Sequence, residues 1–146
     1  MQPSKGCAAL RSVPQPTMPD PEPGSDTGKT LMQDHAERLY YALRKSWSIE
    51  TSSLWSRENP ARGQGGVTAL VVQDILGGDL AKTAVSGGDH FYNIVDGTRW
   101  DFTFAQFDIP VGYQDKPATR TEAMARATPL QYAYLSACIR KALGHG

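Results

Sequence analysis

Cysteine and histidine are scarce in this chain, and neither sign of charge is in excess. Cys7, Cys138, His35, His90 and His145 are its whole stock of thiol and imidazole side chains. Cys7 lies in a proline-rich lead and Cys138 in a late helical pattern. That placement makes neither a disulfide framework nor a zinc site, so both are read as spectator thiols and no metal or cofactor is expected. The 15 basic and 15 acidic residues cancel, which removes the electrostatic footprint of a nucleic-acid or anionic-membrane partner. No apolar run approaches the roughly 20 residues that span a bilayer. The N-terminal stretch has no apolar segment ahead of its prolines, so a secretory signal is not expected and the expectation is a cytoplasmic protein.

What remains is an ordinary globular composition: 146 residues, 40% of them hydrophobic, enough for one domain with a single core. Residues 1–28 carry Pro3, Pro14, Pro16, Pro19, Pro21 and Pro23 without an apolar period. They read as a disordered tail ahead of one domain over residues 29–146. A helix is predicted over Lys29–Trp47, capped by Asp26 or Thr27, with Leu31, His35, Leu39, Leu43 and Trp47 as its apolar stripe. A second helix, over Gly66–Leu76, is apolar nearly all round and should be central and buried. Leu80–Val85 reads as a strand ending at a Ser86-Gly87-Gly88 turn. Two strand-like runs then flank Asp96-Gly97, the dipeptide of a type I′ hairpin. Residues 108–113 form a further strand or loop, and a short helix is expected near Thr121–Arg126. The last helix starts on a capping box, Thr128 with Gln131, with Pro129 at its first position. It should bury Leu130, Tyr134, Ala137 and Cys138. Helices first, an antiparallel sheet next and a helix last make an α+β fold.

Two stretches carry the chemistry. The first is Gly63-Gln64-Gly65-Gly66, a glycine-rich bend feeding a buried helix. Such a helix start presents free N–H groups and a positive dipole end, suited to lowering a thiol's pKa or holding an oxyanion. The second is the hairpin. A two-residue turn at 96–97 pairs Val95 with Thr98, Asn93 with Trp100 and His90 with Thr103. His90, Tyr92 and Ile94 then share a face with Arg99, Asp101 and Thr103. His90 and Asp101 become diagonal neighbours within hydrogen-bonding reach, where the carboxylate would fix the imidazole tautomer. An ordinary cross-strand polar pair is the competing account.

The three blocks WSRENPARGQGGVTALVVQD from Trp55, HFYN from His90 and DFT from Asp101 occur in an order that resembles the YunG-like family. That family is in turn similar to the papain-like and transglutaminase-like cysteine hydrolases. The resemblance covers about residues 38–107, with the C-terminal helix followed more loosely. It implies a papain-like core, with a central buried helix on a small antiparallel sheet. His90 becomes a general base and Asp101 its orienting partner. Gln64 and the amides at Gly65 and Gly66 become oxyanion donors, and Asn59, Trp55 and Tyr92 complete a substrate surface. The family pattern reads Gly-Gln-Cys where this chain reads Gly63-Gln64-Gly65, so the nucleophile position is empty. Thr68, Ser86, Cys7 and Cys138 are poor substitutes: the first faces away, the second is held by nothing, the third lies in the tail and the fourth in the core. The expected function is non-covalent acid/base chemistry on a small-molecule or acyl/amide ligand in a biosynthetic setting. The alternatives are a catalytically dead binding module, with Trp55, Tyr92, Arg99 and Trp100 as contacts, and an engineered knockout of a thiol amidohydrolase or acyltransferase.

Overall fold

The computed structural model describes residues 30–144. The proline-rich tail, the caps expected at Asp26 and Thr27, Cys7 and His145 lie outside the described residues. Helix α1 (Leu31–Ser46) opens on a capping box of its own, Thr30 with Gln33, which satisfies two first-turn donors at once. Its buried stripe is Ala36, Leu39, Tyr40, Leu43 and Trp47, while Leu31 is 88% exposed. Leu31 precedes the point at which α1 meets the rest of the core, so helical spacing alone misplaced it.

Helix α2 (Gly65–Leu76) is the centre of the molecule, with every residue from Gly66 to Val72 buried. A helix apolar on all sides is stable only when covered on all sides. Here α4 (Pro129–Ala142), α3 (Arg120–Met124) and the sheet supply that cover, and α1 packs on α4 and closes the same core. The Trp47 indole N–H donates to the Thr68 hydroxyl at 2.9 Å, which ties the end of α1 to the first turns of α2.

The sheet is antiparallel and four-stranded, in the order β3-β2-β1-β4. Strand β1 (Asp79–Val85) meets β2 (Gly88–Val95) across the two-residue turn Ser86-Gly87. Strand β2 meets β3 (Thr98–Trp100) across Asp96 and Gly97, whose φ values of 52° and 76° are those of the expected type I′ turn. The pairs Val95–Thr98 and Asn93–Trp100 are as expected, but the ladder stops at Trp100. The expected pairing of His90 with Thr103 does not form, and His90 instead faces Thr83 of β1. The cause is local: Asp101 Oδ1 accepts from the Thr103 backbone N–H at 3.1 Å and its hydroxyl at 3.2 Å. This side-chain turn draws the chain out of the ladder.

Residues 101–115 then cross the sheet as a strap before β4 (Lys116–Ala118) pairs with β1. Residues 108–113 are loop within it. One face of β2 meets α2, where the Asn93 amide donates to the Ala69 carbonyl at 3.0 Å. The other face, carrying His90 and Tyr92, meets the strap. Helix α3 is capped by a box of Thr119 and Glu122, and α4 by the expected Thr128 and Gln131 with Pro129. The buried face of α4 is Leu135, Ser136, Cys138 and Ile139; Leu130 is 82% exposed and Ala137 is also exposed. Cys138 is disulfide-bonded, which corrects the reading of it as a spectator thiol. Among the described residues, no helix is long and apolar enough to cross a membrane.

Candidate active site

The bend before α2 contains glycines with different reasons to be there. Gly63 has φ +75°, and a Cβ on it would lie 2.4 Å from Ser52 Oγ. Gly66 is pressed against α3, with a Cβ position 2.8 Å from the Ala123 carbonyl oxygen. These two are required by backbone conformation and close approach. Gly65 is not. Its backbone is helical, and a Cβ there would point at the His90 ring, 3.2 Å from Nδ1. That contact is tight but needs a shift of only a few tenths of an ångström.

His90, 4% exposed, is held from its other nitrogen. Nε2 lies 2.8 Å from Asp101 Oδ2, and the carboxylate is itself 6% exposed. The same oxygen accepts from the Tyr113 hydroxyl at 2.6 Å, while Oδ1 takes the two Thr103 donors. Asp101 thus has hydrogen-bond partners on both oxygens, as a buried polar group has to have. Burial, together with the hydrogen bond to Asp101, pushes the Tyr113 hydroxyl pKa well above the ordinary tyrosine range, so it stays a donor. In the neutral tautomer that donates Nε2–H to Asp101, the Nδ1 lone pair faces position 65. Phe107 and Tyr92 pack on the imidazole with ring centroids at 4.8 Å and 5.8 Å.

A cleft of about 330 Å³ opens over this arrangement. Gly65, Gly66 and His90 contribute to it, together with Leu54, Phe91 and Phe107 as apolar wall and Arg62, Asp89 and Arg126 as charged groups. Backbone N–H groups in the first turn of α2 have no partner within the helix and are the donors such a cleft can use. Ser86 also lines it. Among the described residues, no group of three or more His, Cys, Asp and Glu side chains could hold a metal ion.

Several expected contacts belong elsewhere. Gln64 does not line the cleft. Its side chain is fully buried, with Oε1 2.8 Å from Thr51 Oγ1 and Nε2 donating to the Pro60 carbonyl at 3.2 Å, so it braces the bend instead of serving as an oxyanion donor. Asn59 donates to the Gln106 carbonyl at 3.1 Å and ties the bend to the strap. Trp55 packs against the core, and Trp100 is buried in it beside Phe102. Tyr92 is 1% exposed and exchanges hydrogen bonds with Asp115, whose carboxylate Arg99 grips at 2.9 and 2.6 Å. That grip, ahead of the bond from Tyr92, holds the Asp115 carboxyl below its usual range. Thr68 faces Trp47, away from the cleft. Arg62, Arg126 and Phe107 were missed because nothing in their local sequence marks them; only the folded chain brings them to His90.

Residues 35–144 match the family model described as "YunG protein", a span that runs from within α1 to the end of α4 and includes Gly65, His90 and Asp101. A relative from Bacillus subtilis (strain 168), described as "Uncharacterized protein YunG", is 46% identical over 99 residues. The match covers 68% of this chain and 86% of that protein. No solved structure matches the chain. On the family model and this relative together, the chain belongs to the YunG family.

Proposed function

We propose that the cleft carries out non-covalent general acid/base catalysis on a small molecule. His90 is the base and Asp101 its orienting partner. The observation that supports this most directly is the two-sided placement of His90: Nε2 is 2.8 Å from the Asp101 carboxylate and Nδ1 is 3.2 Å from where a side chain at 65 would begin. A base needs one nitrogen fixed and the other bare and directed at open space.

In this reading Nδ1 takes a proton from a bound water or an acidic C–H, and the imidazolium formed is stabilised by Asp101. Negative charge developing on the substrate oxygen is met by the N–H groups of Gly65 and Gly66, and no acyl-enzyme forms because Gly65 has no side chain. A positioned base supplies about 10²–10⁴-fold. The same placement of helix start, imidazole and carboxylate is what a papain-like or transglutaminase-like ancestry would leave, with Gly65 standing at the former thiol position.

A second reading, a thiol hydrolase lacking its nucleophile at 65, has its own support. Gly65 needs neither a positive φ nor a close backbone approach, so nothing in the backbone demands glycine there.

The ring opening of a nitrobenzisoxazole tests the main reading, since it requires only a positioned base and releases a coloured phenolate. The wild-type protein is expected to accelerate it, and His90→Ala and Asp101→Ala to lose that acceleration. A His90→Ala protein that stays folded and retains the wild-type rate overturns the proposal.

A further inference from the structure

We propose that Arg126, assisted by Arg62, binds an oxyanionic group on the substrate of this same cleft, so that the ligand is a small anion with an apolar portion. This rests on the reading of the cleft above and adds the chemical class of what enters it. Arg126 follows α3 and belongs to no part of the catalytic pair, yet the fold seats it with care. Its Cβ abuts the start of α2, at 3.0 Å from the Cβ position of Gly66. Its guanidinium lies over the start of β2, with Nη1 and Nη2 at 3.0 and 3.1 Å from the Cβ position of Gly88. Gly88 has φ +138°, a conformation other residues rarely adopt, and any side chain there would displace the guanidinium. The head is thereby placed two residues along the strand from His90, at the cleft.

Charge in the cleft favours an anion. Arg62 and Arg126 line it with Asp89 as the single acid, and among the described residues no ion pair engages Arg126 or Arg62. The negative field of Asp89 acts on Lys82, which raises that ammonium's pKa as a lesser cause behind its bond to Glu122. An arginine fork without a carboxylate partner, facing a concave site, is suited to bidentate recognition of a carboxylate or phosphoryl group. Leu54 and Phe107 offer the apolar wall for the remainder of the ligand. The competing account is that the Arg126 stem merely covers apolar surface.

Calorimetric titration of the full chain with hexanoate, hexanamide and inorganic phosphate separates the accounts. Hexanoate is expected to bind more tightly than hexanamide. Arg126→Gln, which keeps most of the stem, should weaken anion binding by about tenfold to a hundredfold. Arg140→Gln, on the exposed side of α4, should change nothing. Hexanoate above phosphate, with both lost in Arg126→Gln, assigns a carboxylate; the reverse order assigns a phosphoryl group. Hexanoate and hexanamide binding with equal measurable affinity, binding of neither hexanoate nor phosphate, or anion binding indifferent to Arg126 overturns the proposal. His90→Ala serves as the separate control. If it spares proton abstraction while Arg126→Gln abolishes anion binding, the catalytic reading alone falls. If proton abstraction needs His90 but anion binding ignores Arg126, only the oxyanion assignment falls.

Discussion

Replacing Asp101 with Asn should reverse the tautomer of His90 while leaving the fold in place. In the wild-type chain, Oδ1 of Asp101 faces two donors of Thr103, one of them a backbone N–H at 3.1 Å, and Oδ2 faces His90 Nε2 at 2.8 Å and the Tyr113 hydroxyl at 2.6 Å. An amide must point its oxygen at one side and its NH2 at the other. Turning the NH2 toward Thr103 sets it against a fixed backbone donor and orphans that donor, at a cost of about 1–3 kcal/mol. The opposite orientation is therefore preferred by roughly fivefold to a hundredfold. It directs the NH2 at His90 Nε2 and at the Tyr113 oxygen, which can accept. Nε2 must then be bare and Nδ1 must carry the proton, toward Gly65, where the base is needed. Nitrogen–proton correlation spectra through the imidazole ring carbons distinguish the two neutral tautomers directly. Asp101→Asn should show protonated Nδ1 at a pH where the ring is neutral, and lose base catalysis with a melting point close to wild type. A neutral ring still protonated on Nε2 in that variant refutes the assignment of donors around Asp101. Asp101→Ala is the contrast. It orphans the Thr103 N–H and the His90 N–H in a buried site, about 2–6 kcal/mol together, which is a fall of roughly 5–20 °C in Tm.

Gly66→Ala should destabilise by about 1–3 kcal/mol in chemical denaturation, because its Cβ would meet the Ala123 carbonyl at 2.8 Å. Gly65→Ala should cost far less, since its neighbour is a side chain at 3.2 Å and alanine gains helix propensity; equal costs would contradict the distinct roles given to the two glycines. Gly65→Cys should give a thiol that iodoacetamide alkylates rapidly at neutral pH, and adding His90→Ala should slow that reaction; a sluggish thiol in the single variant would count against the former-nucleophile reading. The Asp115 carboxyl is held down mainly by Arg99, so its folded-state pKa lies below the unfolded value of about 3.9. Its contribution to stability is then complete above about pH 4 and is lost as pH falls through the folded-state value. Asp115→Asn should remove that part of the acid-side decline in Tm, and an unchanged acid limb would show that the Arg99 pair is inert.

Local chemistry was legible where it fixes structure alone. Asp96-Gly97 sets its own turn and the pairing of Asn93, Ile94 and Val95 with Trp100, Arg99 and Thr98, and the expected contact of His90 with Asp101 forms just past the end of that ladder; Thr128, Pro129 and Gln131 start α4. What escaped depends on partners distant in sequence. Helical spacing marks an apolar stripe but not its limits, so Leu31 and Leu130 were placed inside and are exposed. The end of β3 hinges on the bonds from Asp101 to Thr103, which compete with the ladder. Gln64 sits beside the nucleophile position in sequence yet turns inward, because Thr51 and the Pro60 carbonyl satisfy its amide. Arg126 lies 36 residues from His90 in the chain and reaches it only once α3 has docked on the start of α2.

The strap over residues 101–115 also bears on how the molecule loses function. Its root carries Asp101, and its far end is fastened by Thr83 to Gly112 at 2.9 Å and by Tyr92 to Asp115 at 2.8 Å, immediately ahead of β4. Further bonds from Asn59, Gly63, Thr83, Ala84 and Arg99 hold it, but no residue from 104 to 118 is buried, whereas α2 and much of the β1–β2 hairpin are. On warming, the strap and β4 should peel away as one sub-global unit before the core melts. Inactivation should therefore run ahead of unfolding, and amide exchange in β4 should keep pace with the loss of activity while that in α2 lags behind. A protease that nicks the exposed Asp108–Pro110 stretch would silence the protein while leaving most of its fold standing.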